Sequence, residues 1–275
     1  MPTFETPGPA AVSLDIPAGE VTVQTWGEPR VDVEVTAKRN DEGSQSAAAE
    51  TKVEAHERGG RHEITVRAPK REGGRFGISW GRGPELEVVV RCPEGTDLEL
   101  TTHSADLDAR GALGDVGIRS ASGDVSVHDT QELSFTTASG DLVAASVAGA
   151  LSVKSASGDI DVRHVAGIAT ASTVSGDLRI GHAGGAATVS TVSGDIQLEL
   201  AAAAVRANAV SGDVAVAMVP GLALWIDVQS VSGDVSSELD VVDAPAGEPA
   251  EHVELRVRTV SGDVRVSTAR AAASA

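Results

Sequence analysis

The sequence contains no tyrosine and only three Phe and three Trp in 275 residues. A hydrophobic core must therefore consist of Val, Ile, Leu and Ala, which suit a narrow interior between stacked strands. So few aromatic residues also argue against a sugar-binding surface built from stacked rings.

Cysteine is almost absent, since Cys92 is the single one. One cysteine excludes an internal disulfide. Cys92 follows the run Leu86–Arg91, which is largely apolar, and no Cys–His arrangement can be assigned around it. We therefore expect a packed thiol rather than a nucleophile.

Long apolar runs are missing as well. The N-terminus has no basic segment followed by an apolar one, which argues against a signal peptide. No stretch approaches the ~18 apolar residues of a membrane span. We therefore expect a cytoplasmic protein. The Ala- and Ser-rich tail at 269–275 is expected to be disordered.

Basic residues are outnumbered, with 22 Lys and Arg against 40 Asp and Glu, so the formal net charge is −18. Nucleic-acid binding requires clustered Lys and Arg, and this balance argues against it. The charge favours solubility and opposes end-to-end association, while cation binding is the alternative explanation.

The most frequent element in the sequence is the tripeptide Ser-Gly-Asp. Successive glycines of this tripeptide are 17, 18, 18, 18, 18, 21 and 29 residues apart. A fixed period of this size indicates a solenoid in which each repeat forms one coil, stacked on the coil of the previous repeat. The eight copies begin at Ser122, Ser139, Ser157, Ser175, Ser193, Ser211, Ser232 and Ser261.

Each copy is followed by an apolar-x-apolar pattern, as in Ile160-Asp161-Val162. This period of two is typical of strands. A second glycine lies nine residues before several of the Ser-Gly-Asp glycines, so each coil has two turns and at least two short strands. The alanine-rich run 200–209 keeps the 18-residue interval and is predicted to be an ordinary coil. The pattern predicts an all-β, single-stranded parallel β-helix, right-handed, with ~18 residues per coil.

The two longer intervals predict local departures from this regularity. The last interval contains an acidic, proline-rich insertion at 240–252 between two strands. Trp225 lies in the preceding coil, and we expect it to plug or widen the last coils.

The N-terminal third resembles degraded repeats. Ser104-Ala105-Asp106 occupies the Ser-Gly-Asp position 18 residues before the first full copy, and 12–23 has a strand, glycine, acid and strand in the same order. Polar loops are predicted at 39–55 and 69–84. We predict an irregular N-terminal cap at 1–100 and a regular solenoid at 101–268.

The repeated Asp residues have a structural explanation. Glycine accepts a positive φ, and Asp bonds nearby backbone N–H groups in an Asx turn. The alternative is calcium, which acidic nine-residue repeats bind between turns. The candidate Ca²⁺ ligands are Asp124, Asp141, Asp159, Asp177, Asp195 and Asp213.

Two further columns of polar residues follow from the repeat. A hydroxyl residue stands two positions before most Ser-Gly-Asp copies, as at Thr173 and Thr191, which predicts a hydrogen-bonded stack rather than an ice-binding face. His164 and His182 are 18 residues apart and should stack as a solvated pair, since no third metal ligand recurs with them.

The recurrent unit Thr/Ser-x-Ser-Gly-Asp-apolar-x-apolar resembles the bacterial putative adhesin family of β-strand-repeat proteins, a domain family of unknown function. The resemblance covers roughly 11–268, including the opening segment 14–27. It implies a β-helical fold and brings no catalytic residues.

The sequence therefore predicts a non-enzymatic acidic scaffold or adhesin-like module that binds a protein partner through its long faces. No catalytic residue, cofactor or nucleic-acid partner is predicted. Two alternatives remain open. One is a carbohydrate-active enzyme, which would need a groove lined by acidic or basic residues outside the aspartate column; the other is calcium-dependent adhesion.

Overall fold

The computed structural model describes residues 2–8, 10–69, 83–239 and 252–269. Its contacts divide the chain into two compact units, Met1–Asp141 (unit 1) and Leu142–Ala275 (unit 2). Strands dominate both units. Within the described ranges the sole helix has nine residues, far fewer than the ~20 apolar residues that cross a bilayer.

Unit 1 is arranged around one long strand, β2. This strand pairs in parallel with β7 over Ala11–Gln24, and its other edge pairs with β5 and then with β6. The elements of unit 1 are β1 (Thr3–Glu5), β2 (Ala10–Trp26), β3 (Arg30–Ala37), α1 (Glu42–Glu50), β4 (Lys52–Arg58), β5 (Arg61–Arg67), β6 (Leu86–Pro93), β7 (Asp97–Arg119) and β8 (Val125–Ser139).

The register aligns the glycine turn of β2 with the repeat position of β7. Gly19 pairs with Ala105 and Glu20 pairs with Asp106, so both stand at the Ser-Gly-Asp position. Gly19 has a φ of 129°, close to the 128–149° of the Ser-Gly-Asp glycines. The same turn is therefore made where the tripeptide itself has been lost.

The prediction of a polar loop at 39–55 is wrong, because α1 and the start of β4 occupy this stretch. Asp41 caps the helix, and its side chain accepts a hydrogen bond of 2.9 Å from the Ser44 backbone N–H. Three consecutive alanines at 47–49 supply high helix propensity. The polar composition of this stretch indicated a loop, but the stretch contains a helix that packs against β3 and β6.

Unit 1 also contains antiparallel pairs. β3 pairs with β1 on one edge and with β6 on the other, and β4 and β5 form a hairpin. These antiparallel pairs are formed by strands that precede β7, in the part of the sequence that lacks the 18-residue period. The domain boundary near residue 100 remains a prediction.

Unit 2 consists of regular coils, each with two strands. Residues 18 apart pair in parallel, such as Ile160 with Leu178 and Ala169 with Ala187. This confirms the parallel β-helix. The strands are β9 (Leu142–Val147), β10 (Leu151–Ser157), β11 (Ile160–Val165), β12 (Ala169–Ser172), β13 (Leu178–Ala183), β14 (Ala187–Ser193), β15 (Ile196–Ala201), β16 (Val205–Ser211), β17 (Val214–Met218), β18 (Leu224–Ser232), β19 (Val235–Ser237), β20 (Val253–Ser261) and β21 (Val264–Thr268).

The core of unit 2 follows from strict alternation along these strands. In β14 and β15 the inward residues Ala187, Val189, Ile196 and Leu198 are at most 2% exposed, and the residues between them face outward. Small and β-branched side chains therefore fill the interior, as the composition predicts. The alanine-rich run at 200–209 forms the end of β15 and most of β16, so tertiary packing overrides its helix propensity.

The last two coils are stacked out of sequence order, contrary to the expectation that each coil follows the previous one. β20 pairs with β16 on one side and with β18 on the other, so the coil of Ser261 lies between those of Ser211 and Ser232. The inward position held by Val266 in the enclosed coil is Ser237 in the terminal coil. The more apolar repeat thus takes the enclosed position, and the long last interval allows the chain to return.

Trp225 does not plug the solenoid, contrary to expectation. It lies on the terminal coil, its side chain is 48% exposed, and the Arg256 guanidinium sits 5.7 Å from the centre of its ring. The predicted insertion at 240–252 and tail at 269–275 lie almost wholly outside the described residues. The same holds for most of the predicted loop at 69–84.

Candidate functional site

Each Ser-Gly-Asp turn joins the two strands of one coil, and in unit 2 its aspartates form a continuous column. The Asp side chains are exposed, and their Oδ1 atoms accept hydrogen bonds from the backbone N–H of the Asp one coil away. The donor and acceptor pairs are Asp177 to Asp159 (2.8 Å), Asp195 to Asp177 (2.8 Å), Asp213 to Asp195 (2.8 Å), Asp263 to Asp213 (2.8 Å) and Asp234 to Asp263 (2.9 Å).

The direction of these bonds corrects the expected Asx turn, because the acceptor reaches the next coil instead of its own turn. A charge-assisted bond of this kind contributes about 1.5–3 kcal/mol when well shielded, and less at an exposed position. Repulsion between carboxylates ~5 Å apart costs about 1 kcal/mol in water. The column is therefore stable as a structural clamp between coils.

Unit 1 contains a shorter column of the same kind. Asp124 N–H donates to Asp106 Oδ1 and Asp141 N–H donates to Asp124 Oδ1, each over 3.0 Å. The candidate Ca²⁺ ligands are thus brought together within each unit: Asp124 and Asp141 in unit 1, and Asp159, Asp177, Asp195 and Asp213 in unit 2. Calcium binding by these residues stays an alternative hypothesis.

The hydroxyl column faces inward. Ser155 and Thr173 are 8% and 3% exposed, and each hydroxyl donates to a backbone carbonyl two residues further on, over 2.9 and 3.1 Å. These bonds fix the chain as it enters the Ser-Gly-Asp turn. These two hydroxyls therefore support the turn, whereas the buried hydroxyls of Thr191 and Thr259 in the same column have no hydrogen-bond partner among the described residues. Burial of the column argues against an ice-binding role.

A third column, which is apolar and exposed, was not predicted from the sequence. The residue immediately before each Ser-Gly-Asp copy points outward, and in most of unit 2 it is valine. Neighbouring valines are one strand spacing apart, ~4.8 Å, so five of them extend over about 19 Å. In stacking order they are Val174 (51% exposed), Val192 (47%), Val210 (48%), Val260 (49%) and Val231 (81%).

A signal for this column was present in the sequence. The position follows a buried hydroxyl residue in a strand, so alternation places it outside. An apolar residue repeated at a predicted outward position indicates an interaction surface rather than a surface that only keeps the protein in solution.

The valine, serine and aspartate columns together form one corner face of unit 2. Ser175, Ser193 and Ser211 pair in register, which places the serines between the valines and the aspartates. The face therefore combines an apolar stripe with a parallel stripe of negative charge. Such a surface is complementary to a chain that carries apolar and basic side chains side by side.

Unit 1 contains a separate depression of about 850 Å³. Asp15, Glu50, Lys52 and Arg67 line it together with Pro69. Asp15 pairs with Arg67 across β2 and β5, and Arg67 pairs with Lys52 across β5 and β4, so three of these residues lie on adjacent strands. Two carboxylates and two cationic groups outside the aspartate column thus converge at the N-terminal cap.

Cys92 is fully buried in β6, which confirms a packed thiol. Its burial raises the pKa of the thiol to about 11, although a contact with Thr96 opposes the shift. A thiol with this pKa is protonated at neutral pH and is a poor nucleophile.

Comparisons with known proteins point to one family. A family model described as Toastrack DUF4097 matches residues 13–267. A comparison with curated protein sequences gives no match.

Several crystal structures align with most of this chain at low sequence identity. A putative adhesin from Parabacteroides distasonis ATCC 8503 superposes with a TM-score of 0.49 at 12% identity, covering 96% of this chain and 95% of that one. A putative adhesin from Bacteroides fragilis NCTC 9343 gives 0.42 at 11% identity, with 96% and 95% covered. A putative lipid binding protein from P. distasonis gives 0.41 at 11% identity, with 98% and 96% covered.

Proposed function

This chain belongs to the Toastrack DUF4097 family, and on that premise we propose that it is a non-enzymatic binding module. Its ligand is a protein partner, and its binding surface is the corner face of unit 2 defined above. The observation that carries the proposal is the column of five exposed valines beside the aspartate column.

The energetic argument rests on burial of the valines. An isolated exposed apolar residue is ordinary, but a contiguous apolar stripe in register is a typical interaction surface. Covering a valine that is half exposed contributes on the order of 1 kcal/mol, at about 25 cal/mol per Å². Four or five such contacts provide a useful binding energy, provided that the partner loses little freedom on docking.

The chemistry of the face defines the partner. The valine stripe requires apolar side chains, and the aspartates, three residues further along each repeat, require Lys or Arg. A partner surface that carries a row of apolar side chains beside a row of basic side chains satisfies both stripes, and its charge is opposite to the net charge of −18 on this chain. The scaffold presents the face on rigid, hydrogen-bonded coils, which lowers the cost of ordering it.

Site-specific photo-crosslinking tests this proposal. A photoreactive amino acid is placed at Val192 or at Val210 in the native cell, and the matched control is Gln197, an exposed residue of the other strand of the coil. The proposal predicts one shared adduct from both valine positions, none from Gln197, and loss of the adduct in Val210→Asp when the probe is at Val192. The same adducts from Gln197, or none from the valines, would contradict it.

One observation favours a second candidate, a carbohydrate-active enzyme. The unit 1 depression has two carboxylates, Asp15 and Glu50, beside Lys52 and Arg67, and acid–base hydrolysis or proton abstraction uses such groups. Release of reducing ends from an acidic or neutral polysaccharide, abolished by both Asp15→Asn and Glu50→Gln, would support the enzyme. Activity that survives both changes would exclude this site.

A further inference from the structure

Two histidines on neighbouring coils bring their ring nitrogens together. His164 of β11 and His182 of β13 pair in register, and both side chains are half-buried. Their rings are stacked with centroids 4.7 Å apart and planes at 30°, and the two Nδ1 atoms are 2.8 Å apart. At this distance one Nδ1–H donates to the lone pair of the other, so two nitrogen lone pairs converge on one point once that proton moves to Nε2.

The separation of the two nitrogens is compatible with one class of metal ion without movement of the rings. With metal–nitrogen bonds of 2.0–2.1 Å, two ligands at a right angle are about 2.8–3.0 Å apart, whereas two ligands at a tetrahedral angle are about 3.3–3.4 Å apart. The observed 2.8 Å matches the right angle of square-planar or tetragonal Cu²⁺ and Ni²⁺. Tetrahedral Zn²⁺ would require the rings to move apart by about half an ångström.

We propose that His164 and His182 form a binding site for one Cu²⁺ or Ni²⁺ ion, coordinated by the two Nδ1 atoms in cis positions. In the described ranges no three His, Cys, Asp or Glu side chains converge, so water completes the coordination. The site therefore leaves positions open for a further ligand. This is a function separate from the corner face.

The surroundings suit a weakly held, exchangeable cation. The coils hold both imidazoles in place, so little side-chain freedom is lost on binding. Arg163 precedes His164 and is exposed, while Arg179 is paired with Glu199 on the next coil. The exposed Arg163 guanidinium opposes the approach of a cation, which lowers the affinity and is consistent with a weakly held ion.

Neighbouring coils supply variants that the fold already accommodates. At the same position of the stack, β9 has Ser146 and β15 has Leu200. Each of the substitutions His164→Ser and His182→Leu therefore introduces the residue that the adjacent coil already has at this position. His128→Ala is the matched control, since His128 is an exposed histidine beside the Asp129 carboxylate with no second imidazole at its Nδ1.

The test is Cu²⁺ titration of the metal-free full chain by calorimetry in glycine buffer, with electron paramagnetic resonance of the one-equivalent complex. We expect one site per chain, nitrogen coupling from two imidazoles, and affinity reduced by at least about 10- to 100-fold in His164→Ser and in His182→Leu but not in His128→Ala. Unchanged affinity in both variants would overturn the proposal. If a variant fails to fold, the wild-type spectrum still decides, because coupling from fewer than two imidazoles contradicts the site.

Discussion

Replacing Gly194 with alanine tests how closely the coils approach at the Ser-Gly-Asp turns. Gly194 has a φ of +145°, which side chains rarely adopt. An alanine Cβ at this position would lie 2.2 Å from the Gly176 carbonyl oxygen and 2.7 Å from its carbon. The new methyl group therefore collides with the Gly176 backbone. A backbone carbonyl cannot rotate out of the way as a flexible side chain could.

The magnitude has two parts. The unfavourable φ costs about 1–3 kcal/mol. Relieving the overlap requires a shift of about 1 Å, since carbon and oxygen atoms in contact are normally about 3.5 Å apart. That shift weakens the bonds between these two coils, from Gly176 N–H to Ser193 O (3.1 Å) and from Asp195 N–H to Asp177 Oδ1 (2.8 Å), at about 1 kcal/mol each. We expect Gly194→Ala to lose about 3–5 kcal/mol.

Gly221→Ala is the matched control in the same unit. Gly221 also has a positive φ, +87°, but no atom lies within 4 Å of an added Cβ. Its loss should be limited to the backbone cost of about 1–2 kcal/mol. Urea unfolding of the full chain, followed by circular dichroism, measures both. Equal losses in the two variants would refute the argument that the coils touch at the glycines.

Three further results are expected. Asp195→Ala removes the acceptor of the Asp213 N–H and should lower the free energy of unfolding in urea by about 1–2 kcal/mol. Asp195→Asn keeps an oxygen acceptor and relieves a repulsion of about 1 kcal/mol per neighbouring carboxylate, so it should leave the stability nearly unchanged. Millimolar Ca²⁺ should leave the melting temperature unchanged, because the carboxylates are directed at backbone N–H groups; a rise of several degrees would contradict this. Burial raises the pKa of Cys92 from 9.0 to about 11, so the thiol of the folded chain should resist a disulfide reagent at pH 8. The stability that this shift contributes should be lost as the pH rises from 9 to 11. Rapid labelling of the folded chain would contradict the burial of this thiol.

Much of unit 2 was predictable because its information is local and repeated. The apolar-x-apolar pattern after each Asp specifies which residues face inward, and the 18-residue interval specifies which residues pair. Even the alanine-rich run at 200–209 follows from the interval alone. The stacking order of the last coils was not predictable, because it depends on competition between two complete repeats for one enclosed position.

The candidate sites show the same limit. The aspartate column was predicted, but the partner of each carboxylate was not, since turn preference cannot distinguish the same coil from the next one. The valines recur at an outward position, but a single exposed valine is ordinary in a strand, and only the stacking of the coils shows that five of them form one stripe. The stacked pair His164 and His182 was expected from the spacing, whereas the convergence of Nδ1 atoms required side-chain geometry.

Cysteine cross-linking tests the parallel, in-register stack and its reversed order most directly. In a Cys92→Ala background, the pairs Ser175→Cys with Ser193→Cys and Ser211→Cys with Ser261→Cys join adjacent coils and should oxidise to disulfides. Ser211→Cys with Ser232→Cys should not, because these residues are two coils apart, roughly 10 Å, beyond the ~7 Å limit for bridging. Cross-linking of Ser211→Cys to Ser232→Cys in place of Ser261→Cys, or none at all, would contradict the structure described here.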